Sequence, residues 1–356
     1  MKVAFIEPFY GISHQQWIDG FAKNILEKNK ITYDLYSQKP RFWKWRLLFS
    51  AEQLATEVNH SGNVYTHFIC SSFLDLCLFK LLLSKENQKA KFILYFHENQ
   101  LCYQHEDHSG RKNLNAEQSF GLIQYKSLIA SDRVCFNSQF HKESFFKALK
   151  VIFKKMPDYR KMDFFHSAYE KSEVLYCGVE EVGTLKKQQK TEAAPVIVWN
   201  HRWEQDKNPE EFFNILKTLK DKNYAFQLKV LGESFQKSPE IFNWAKEFFH
   251  EEIVHWGYLP SREEYVKELF SGDVLLVSCL QENFGYSVME AAAMGLSLVL
   301  PQRLVYPELY AQNAFFYSSL EEAEGCFLEN LFVENKFNVE RFSWASQEES
   351  YLRLLA

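Results

Sequence analysis

The chain has 356 residues, 46% of them hydrophobic and 24% charged, which excludes a disordered polypeptide and exceeds what one ordinary core holds. Its 41 basic and 46 acidic residues give a net charge of −5, which excludes a protein that coats nucleic acid without specificity but leaves room for a local basic patch. The seven cysteines (Cys70, Cys77, Cys102, Cys135, Cys177, Cys279 and Cys326) are scattered and lack CxxC spacing, so they read as buried reduced thiols rather than a disulfide framework or a zinc site.

In chain order, a strand at 3–6 runs through Pro8, Phe9, Tyr10 and Gly11 into an amphipathic helix at 15–28. Strand, glycine-bearing turn and helix are the opening of a doubly wound sheet. Strand patterns at 67–70, 91–96, 133–137 and 173–177 follow, with helical patterns such as 73–83 and 118–130 between them. Residues 183–195 are polar and lysine-rich, without apolar periodicity, and predict a linker between a first domain at 1–182 and a second at 196–335. In the second domain, strands at 196–199, 226–231, 253–256, 274–278 and 296–300 alternate with helices at 209–220, 239–249, 262–271 and 287–294. Residues 336–356 carry a last helix, at 343–355, expected to pack back on the first domain.

Alternation of this kind predicts an α/β protein of two Rossmann-like domains whose parallel sheets face each other across a cleft. Ligands of such sheets bind at the carboxyl ends of the strands. The opening residues read as a strand rather than a signal peptide, and the apolar runs at 73–83 and 274–280 are too short to span a bilayer. A cytoplasmic protein without a membrane partner is expected.

The densest chemistry lies at 282–290, Glu282-Asn283-Phe284-Gly285-Tyr286-Ser287-Val288-Met289-Glu290, between a buried strand and a helix. Phe284 and Gly285 allow a sharp turn, which lets amide N–H groups at Tyr286 and the helix start face an anion. Glu282 is placed to hold a sugar, and Glu290, two turns on, to accept from ribose hydroxyls. The plain alternative is a solvated loop with one glutamate on a helix face. A second constellation, Arg202 and Lys207, follows the first strand of the second domain. A guanidinium fork and an ammonium on a rigid strand end neutralise a departing diphosphate. Here the plain alternative is a surface Arg and Lys paired with Glu204 and Asp206.

Arg-x4-Lys after one strand, and Glu-x7-Glu with Phe-Gly inside it after a later one, resemble retaining glycosyltransferases of the GT-B type. The segments 7–14 (EPFYGISH), 95–100 (YFHENQ), 136–138 (FNS), 156–160 (MPDYR), 201–207 (HRWEQDK), 255–261 (HWGYLPS) and 305–308 (VYPE) look like those of tRNA-queuosine α-mannosyltransferases. The resemblance spans nearly the whole chain. It implies transfer of mannose from GDP-mannose, as donor substrate, to the cyclopentenediol of queuosine in a tRNA anticodon loop. It also implies that His97, at a strand end, faces the transferred sugar. The family's first turn has two glycines and here the second is Ile12, but Gly11 keeps the freedom for φ > 0 that a loop nearing the donor phosphate uses.

Residues 39–46 interleave four cations with three aromatics. Arg41, Lys44 and Arg46 can meet phosphates while Trp43 and Trp45 stack on unpaired bases; on a helix, only one of the two rings would reach RNA, and the plain alternative is a solvated basic helix face with core aromatics. Lys150, Lys154, Lys155, Arg160 and Lys161 form a second basic stretch of the kind a local RNA site would show, with Arg160 expected to bind the acceptor. Cys102, His105, Asp107 and His108 cluster in sequence but lack a common zinc spacing, and no metal or other cofactor is expected. Two alternatives stay open: a GT-B transferase acting on a glycan, lipid or small molecule, and a non-catalytic nucleotide-sugar- or RNA-binding protein.

Overall fold

The computed structural model describes residues 1–102, 114–155, 163–180, 194–234, 238–311, 313–330 and 337–356. They form two compact units: Met1–Glu180 with Arg341–Ala356, and Glu181–Glu340. Residues 183–193 of the expected linker lie outside the described residues.

In unit 1 the elements run β1 (Lys2–Glu7), α1 (Ile12–Phe21), β2 (Thr32–Ser37), α2 (Trp43–His60), β3 (His67–Ser71), α3 (Leu76–Leu82), β4 (Lys91–Phe96), α4 (Leu114–Ala130), β5 (Arg133–Phe136), α5 (Gln139–Lys154), α6 (Asp163–Glu170) and β6 (Ser172–Val174). The six strands are parallel, in the order β2-β1-β3-β4-β5-β6. Val3, Ala4, Phe5 and Ile6 on β1 and Phe92 to Phe96 on β4 are all at most 1% exposed, so both faces of the sheet are covered and the strands read as unbroken apolar runs. The order reverses between β1 and β3, the point at whose strand carboxyl ends sheets of this kind bind ligands.

Unit 2 contains β7 (Val196–Trp199), α7 (Pro209–Asp221), β8 (Gln227–Leu231), α8 (Ile241–Phe248), β9 (Ile253–Gly257), α9 (Arg262–Phe270), β10 (Val274–Leu276), α10 (Tyr286–Ala293), β11 (Ser297–Pro301), α11 (Tyr306–Tyr310), β12 (Phe315–Tyr317) and α12 (Leu320–Asn330). Its parallel sheet has the order β12-β11-β10-β7-β8-β9, the dinucleotide-binding arrangement, with the reversal between β7 and β10. Its core is aromatic: Trp199, Phe212, Phe213 and Phe242 meet edge to face or stacked below the sheet.

The last helix, α13 (Trp344–Leu354), belongs to unit 1. Trp344 is 4% exposed, and its ring lies so close to Gly20 and Gly178 that a Cβ at either would overlap it. Trp17 Nε1 donates to the Tyr351 hydroxyl at 2.8 Å, which donates to the Tyr176 carbonyl at 2.8 Å. Val179 N donates to the Phe342 carbonyl at 2.8 Å, fixing the entry to the helix.

Several sequence expectations are corrected. The helix at 15–28 is α1 followed by a π-helical turn at Ala22–Glu27, and the strand at 173–177 is only Ser172–Val174. Cys77 and Cys102 are exposed rather than buried, because Cys77 faces outward on α3 and Cys102 lies in a loop; the seven cysteines form no disulfide. Among the described residues no helix is long and apolar enough to cross a membrane.

Because Trp344 fills a slot shaped by two glycines, Trp344→Ala should cost about 3–5 kcal/mol of unit 1 stability. Denaturant unfolding followed by unit 1 fluorescence reads this, and an unchanged midpoint would show that α13 is a loosely held appendage.

Candidate functional site

The loops after β7 and β10, neighbours at the reversal in the unit 2 sheet, are tied together by backbone and side chain alike. Ser278 Oγ lies 3.0 Å from the Lys207 carbonyl and 2.9 Å from that of Asn208, and Leu280 N donates to the Asp206 carbonyl at 2.8 Å. Lys207, in the short 3₁₀ turn Gln205–Lys207, is 9% exposed. Its Nζ lies 3.2 Å from Asp206 Oδ2 and 3.4 Å from Glu282 Oε2, and it donates to the Gln281 carbonyl at 3.3 Å. The structure thus brings Lys207 and Glu282 together. Arg202 lies further out, its fork on Glu204 at 3.0 and 3.4 Å. The pairings offered above as the plain alternative, Arg202 with Glu204 and Lys207 with Asp206, are both present. Lys207 also reaches Glu282, which a simple surface pair would not.

Glu282 turns its other oxygen back on the chain, accepting from Asn283 N at 3.1 Å and Phe284 N at 3.4 Å. Gly285 follows at φ 81°, a left-handed turn that starts α10 and that a side chain would strain. Phe284 is buried and meets the Tyr286 ring edge to face at 5.3 Å. The start of α10 is held to the β7 loop: His201 Nδ1 lies 3.0 Å from Ser287 Oγ, and Asn200 Nδ2 donates to the Ser287 carbonyl at 2.8 Å. Burial pushes the His201 imidazole down to about 3, with Lys207 and Arg202 adding to it.

Glu290 is 7% exposed and carries a partner that the sequence did not reveal. Arg262, in the first turn of α9, grips both its oxygens at 2.6 and 3.2 Å, and the Tyr265 hydroxyl donates at 3.3 Å. The guanidinium lies over the Tyr265 ring, 5.2 Å from its centroid. Arg303 was also missed. It donates to the Ser278 and Cys279 carbonyls at 2.7 and 3.0 Å and to Glu211 at 2.9 Å, bracing the strand end that leads to Glu282.

In unit 1 the loop after β1 holds Gly11 at φ −179°, ψ 163°, an extended conformation open to any residue. The expected positive φ is corrected: glycine is needed here because a Cβ would meet the Pro40 ring at 2.5 Å. Beyond it, His14 Nδ1 lies 3.1 Å from Glu7 Oε2, both groups buried. The His97 ring stacks on His14 with centroids 4.1 Å apart and meets Trp17 edge to face at 5.0 Å. His97 Nε2 is buried and has no hydrogen-bond partner among the described residues. Burial, with His14 and His141 adding to it, holds His97 well below the usual imidazole range. His14 moves the other way: burial opposes its charged form, but the Glu7 carboxylate outweighs burial and raises its pKa. Among the described residues, Glu7, His14 and His97 are the group whose ligand atoms, within 4.8 Å of one another, could hold a cation. His105, Asp107 and His108 lie outside the described residues.

The basic aromatic segment is helical from Trp43 onward, and its two tryptophans diverge as helical spacing requires. Trp43 turns inward onto Phe73 and Phe120, at 6.0 and 5.4 Å. Trp45 is 64% exposed and stacks on Phe49, beside an exposed Phe42. Arg41 and Lys44 are exposed, whereas Arg46 is half-buried and donates to Gln38 Oε1 at 3.0 Å. Arg160 and Lys161 lie outside the described residues, as does the whole of 156–160.

Residues 2–179 match the family described as tRNA-queuosine alpha-mannosyltransferase N-terminal, and residues 184–323 match glycosyl transferases group 1. A tRNA-queuosine alpha-mannosyltransferase of Drosophila melanogaster is 32% identical over 327 residues, covering 89% of this chain and 84% of that protein. Among solved structures, sucrose-phosphate synthase from Thermosynechococcus elongatus aligns over 100% of this chain and 98% of its own, with a TM-score of 0.72 at 13% identity. Anabaena HepE in complex with UDP aligns over 100% and 99%, with a TM-score of 0.65 at 13% identity. At that identity these two show the fold, which is GT-B.

The histidines make stability depend on pH. His97, His141 (pushed down to about 3), His201 and His67 stay neutral when folded but take a proton near 6.5 when unfolded. Their contribution is lost as pH falls below about 6.5. His14, raised, contributes below 6.5 and loses that as pH rises through its folded value. Four lowered groups outweigh one raised group, so the melting temperature should fall from pH 7 to pH 5. A flat or rising curve in calorimetry would contradict these environments.

Proposed function

This chain belongs to the tRNA-queuosine alpha-mannosyltransferase family and is a glycosyltransferase, and we propose that it moves mannose from GDP-mannose to the cyclopentenediol of queuosine in a tRNA anticodon loop, with retention at the anomeric carbon. The observation that carries the reading is the meeting of Lys207 and Glu282 at the strand reversal of the unit 2 sheet. A donor diphosphate there finds a fixed ammonium beside a carboxylate suited to sugar hydroxyls. Arg202 is held by the half-buried Glu204 in a partly solvated pair worth about 0–1 kcal/mol, which a diphosphate can displace. Glu290, deep in α10, keeps lone pairs for ribose hydroxyls while Arg262 fixes its orientation.

In the proposed step the bond from the anomeric carbon to the β-phosphate oxygen breaks, and an acceptor hydroxyl forms its bond on the same face. The acceptor proton passes to the departing phosphate oxygen. Arg202 and Lys207 neutralise the charge that grows on the diphosphate, and such stabilisation acts mainly in the transition state. Neutral His97 offers its unpaired Nε2 to a hydroxyl of the transferred sugar and is not needed as a base. No step requires a metal. The seven unbridged cysteines suit a reducing compartment, and we place the enzyme in the cytoplasm.

The exposed face of α2 supports RNA binding, with Arg41 and Lys44 for phosphates and Trp45 for a base. It also gives the second reading its support, because Phe42, Trp45, Leu48 and Phe49 are 75%, 64%, 40% and 54% exposed, as on a helix that lies on an anionic membrane to reach a lipid acceptor.

The deciding measurement is mass spectrometry of nucleosides from queuosine-containing tRNA incubated with a panel of nucleotide sugars. A hexose should appear on queuosine with GDP-mannose. Product from another donor corrects the sugar, and no product from any donor removes the reading. Arg202→Ala and Lys207→Ala should each lower turnover about 10²-fold or more while tRNA affinity is kept.

Replacing Arg41, Lys44 and Arg46 with Gln should weaken tRNA binding and lower the log–log salt slope by about 0.7–0.9 for each phosphate no longer neutralised. Trp45→Ala should weaken it further, whereas Trp43→Ala should lower stability instead. If the triple variant keeps its tRNA slope but releases anionic vesicles, the face serves a lipid acceptor.

A further inference from the structure

The second basic stretch of unit 1 has no part in the donor loops or in the α2 face. Its described residues, Lys150, Lys154 and Lys155, lie at the end of α5, whose lysines border a groove between α5 and α6. The cavity there measures about 650 Å³, within the range of small-ligand sites. Phe146 and Phe165 form its buried floor, and the rings of Phe140 and Tyr169 stand on its walls. Lys147 and Lys150, both exposed, line one side. Lys154 continues the row by one turn, and Val151 and Phe164 on the same two helices are 50% and 58% exposed.

Among the described residues of the lining the one carboxylate is Glu143, and it is engaged locally: the Tyr169 hydroxyl donates to it at 2.6 Å and Gln139 Nε2 at 2.7 Å. What remains facing the groove is positive charge among aromatic rings, in a chain whose net charge is −5. That combination matches a ligand with anionic phosphates and a flat apolar face. An acidic peptide would use the lysines but not the two rings.

Position adds to composition. α5 starts at the carboxyl end of β5, capped by Ser138, whose Oγ accepts from His141 N at 3.0 Å. Ser144, one turn further and part of the groove lining, accepts from Asn99 Nδ2 at 3.2 Å. Asn99 is two residues past His97. One residue of the groove lining is therefore hydrogen-bonded to the loop that carries His97, all within unit 1.

We propose that the α5–α6 groove binds an unpaired nucleotide of the RNA acceptor, its base on Phe140 and Tyr169 and its flanking phosphates on Lys147 and Lys150. This rests on the RNA-directed reading above. A nucleotide adjoining the modified one reaches the groove when the modified base is presented near His97. The groove thereby measures how the loop is splayed, with little preference for sequence.

The test uses the full chain and a queuosine-containing anticodon stem–loop. Lys147→Gln with Lys150→Gln should lower the log–log salt slope of binding by about 1.4–1.8, two phosphates at about 0.7–0.9 each. Phe140→Ala should weaken binding about tenfold and leave the slope unchanged, since stacking releases no counterions. In both, KM for the RNA rises and kcat at saturation is kept. The lysines are exposed, so the double variant folds, and its melting curve checks this. Wild-type slope and affinity in the lysine variant, with tRNA still modified, overturn the groove and leave the RNA-directed reading standing. A wild-type protein that modifies no tRNA nucleoside removes that reading and the groove with it. An equal loss of binding to polyglutamate and to RNA also overturns the proposal, in favour of an acidic peptide.

Discussion

A nearly buried ammonium organises unit 2. Lys207 sits out of water between Asp206 and Glu282, and a cation in that position is tolerable only while both carboxylates and the Gln281 carbonyl stay in place. The requirement reaches back into the sheet. β7 and β10 must be neighbours for their loops to meet, and Ser278 and Leu280 then fasten the loops through backbone carbonyls. Arg303 holds the other side of the β10 end. The result is a set of charges fixed before any ligand arrives, which is the condition under which electrostatic stabilisation costs no reorganisation.

Unit 1 solves a different problem, keeping an imidazole neutral and unpaired in a buried place. Glu7 beside it favours the charged form of His14, and charge there disfavours charge on His97. Trp17 and Tyr95 close around the pair, stacked on each other at 4.0 Å. A buried nitrogen without a partner carries a desolvation cost, and a protein retains such a cost where a ligand hydroxyl can repay it.

The central strands were legible in the sequence because a strand covered on both faces must be apolar throughout; Val3 to Ile6 and Val274 to Leu276 show this. The strands that escaped notice, β2 and β12, lie at sheet edges: β2 is mostly half-buried and mixes polar with aromatic residues, and β12 is only three residues long. In the site, Glu282, Gly285, Lys207 and Arg202 could be read because spacing within one strand-end loop survives folding. Arg262 could not. In sequence it is only the first residue of a helix capped by Ser261, and its partner is 28 residues away. His14 had a faint signal, a carboxylate closing β1 and an imidazole in the first turn of α1, but only the fold shows that the two meet. The tryptophan pair at Trp43 and Trp45 was resolved by the fact that α2 is a helix.

The return of α13 to unit 1 has a consequence for synthesis. The ribosome completes every strand of unit 1 by residue 174 but does not supply Trp344 and Tyr351 until all of unit 2 has been made. Through that interval Trp17 lacks its hydrogen-bond partner, and the slot between Gly20 and Gly178 stands open to solvent. Trp17 is the ring that flanks His97. A chain that ends before α13 therefore lacks two of the aromatic side chains that pack around Trp17 and the two glycines. The packing around Trp17 is thus completed only after the last residue of unit 2 has been made.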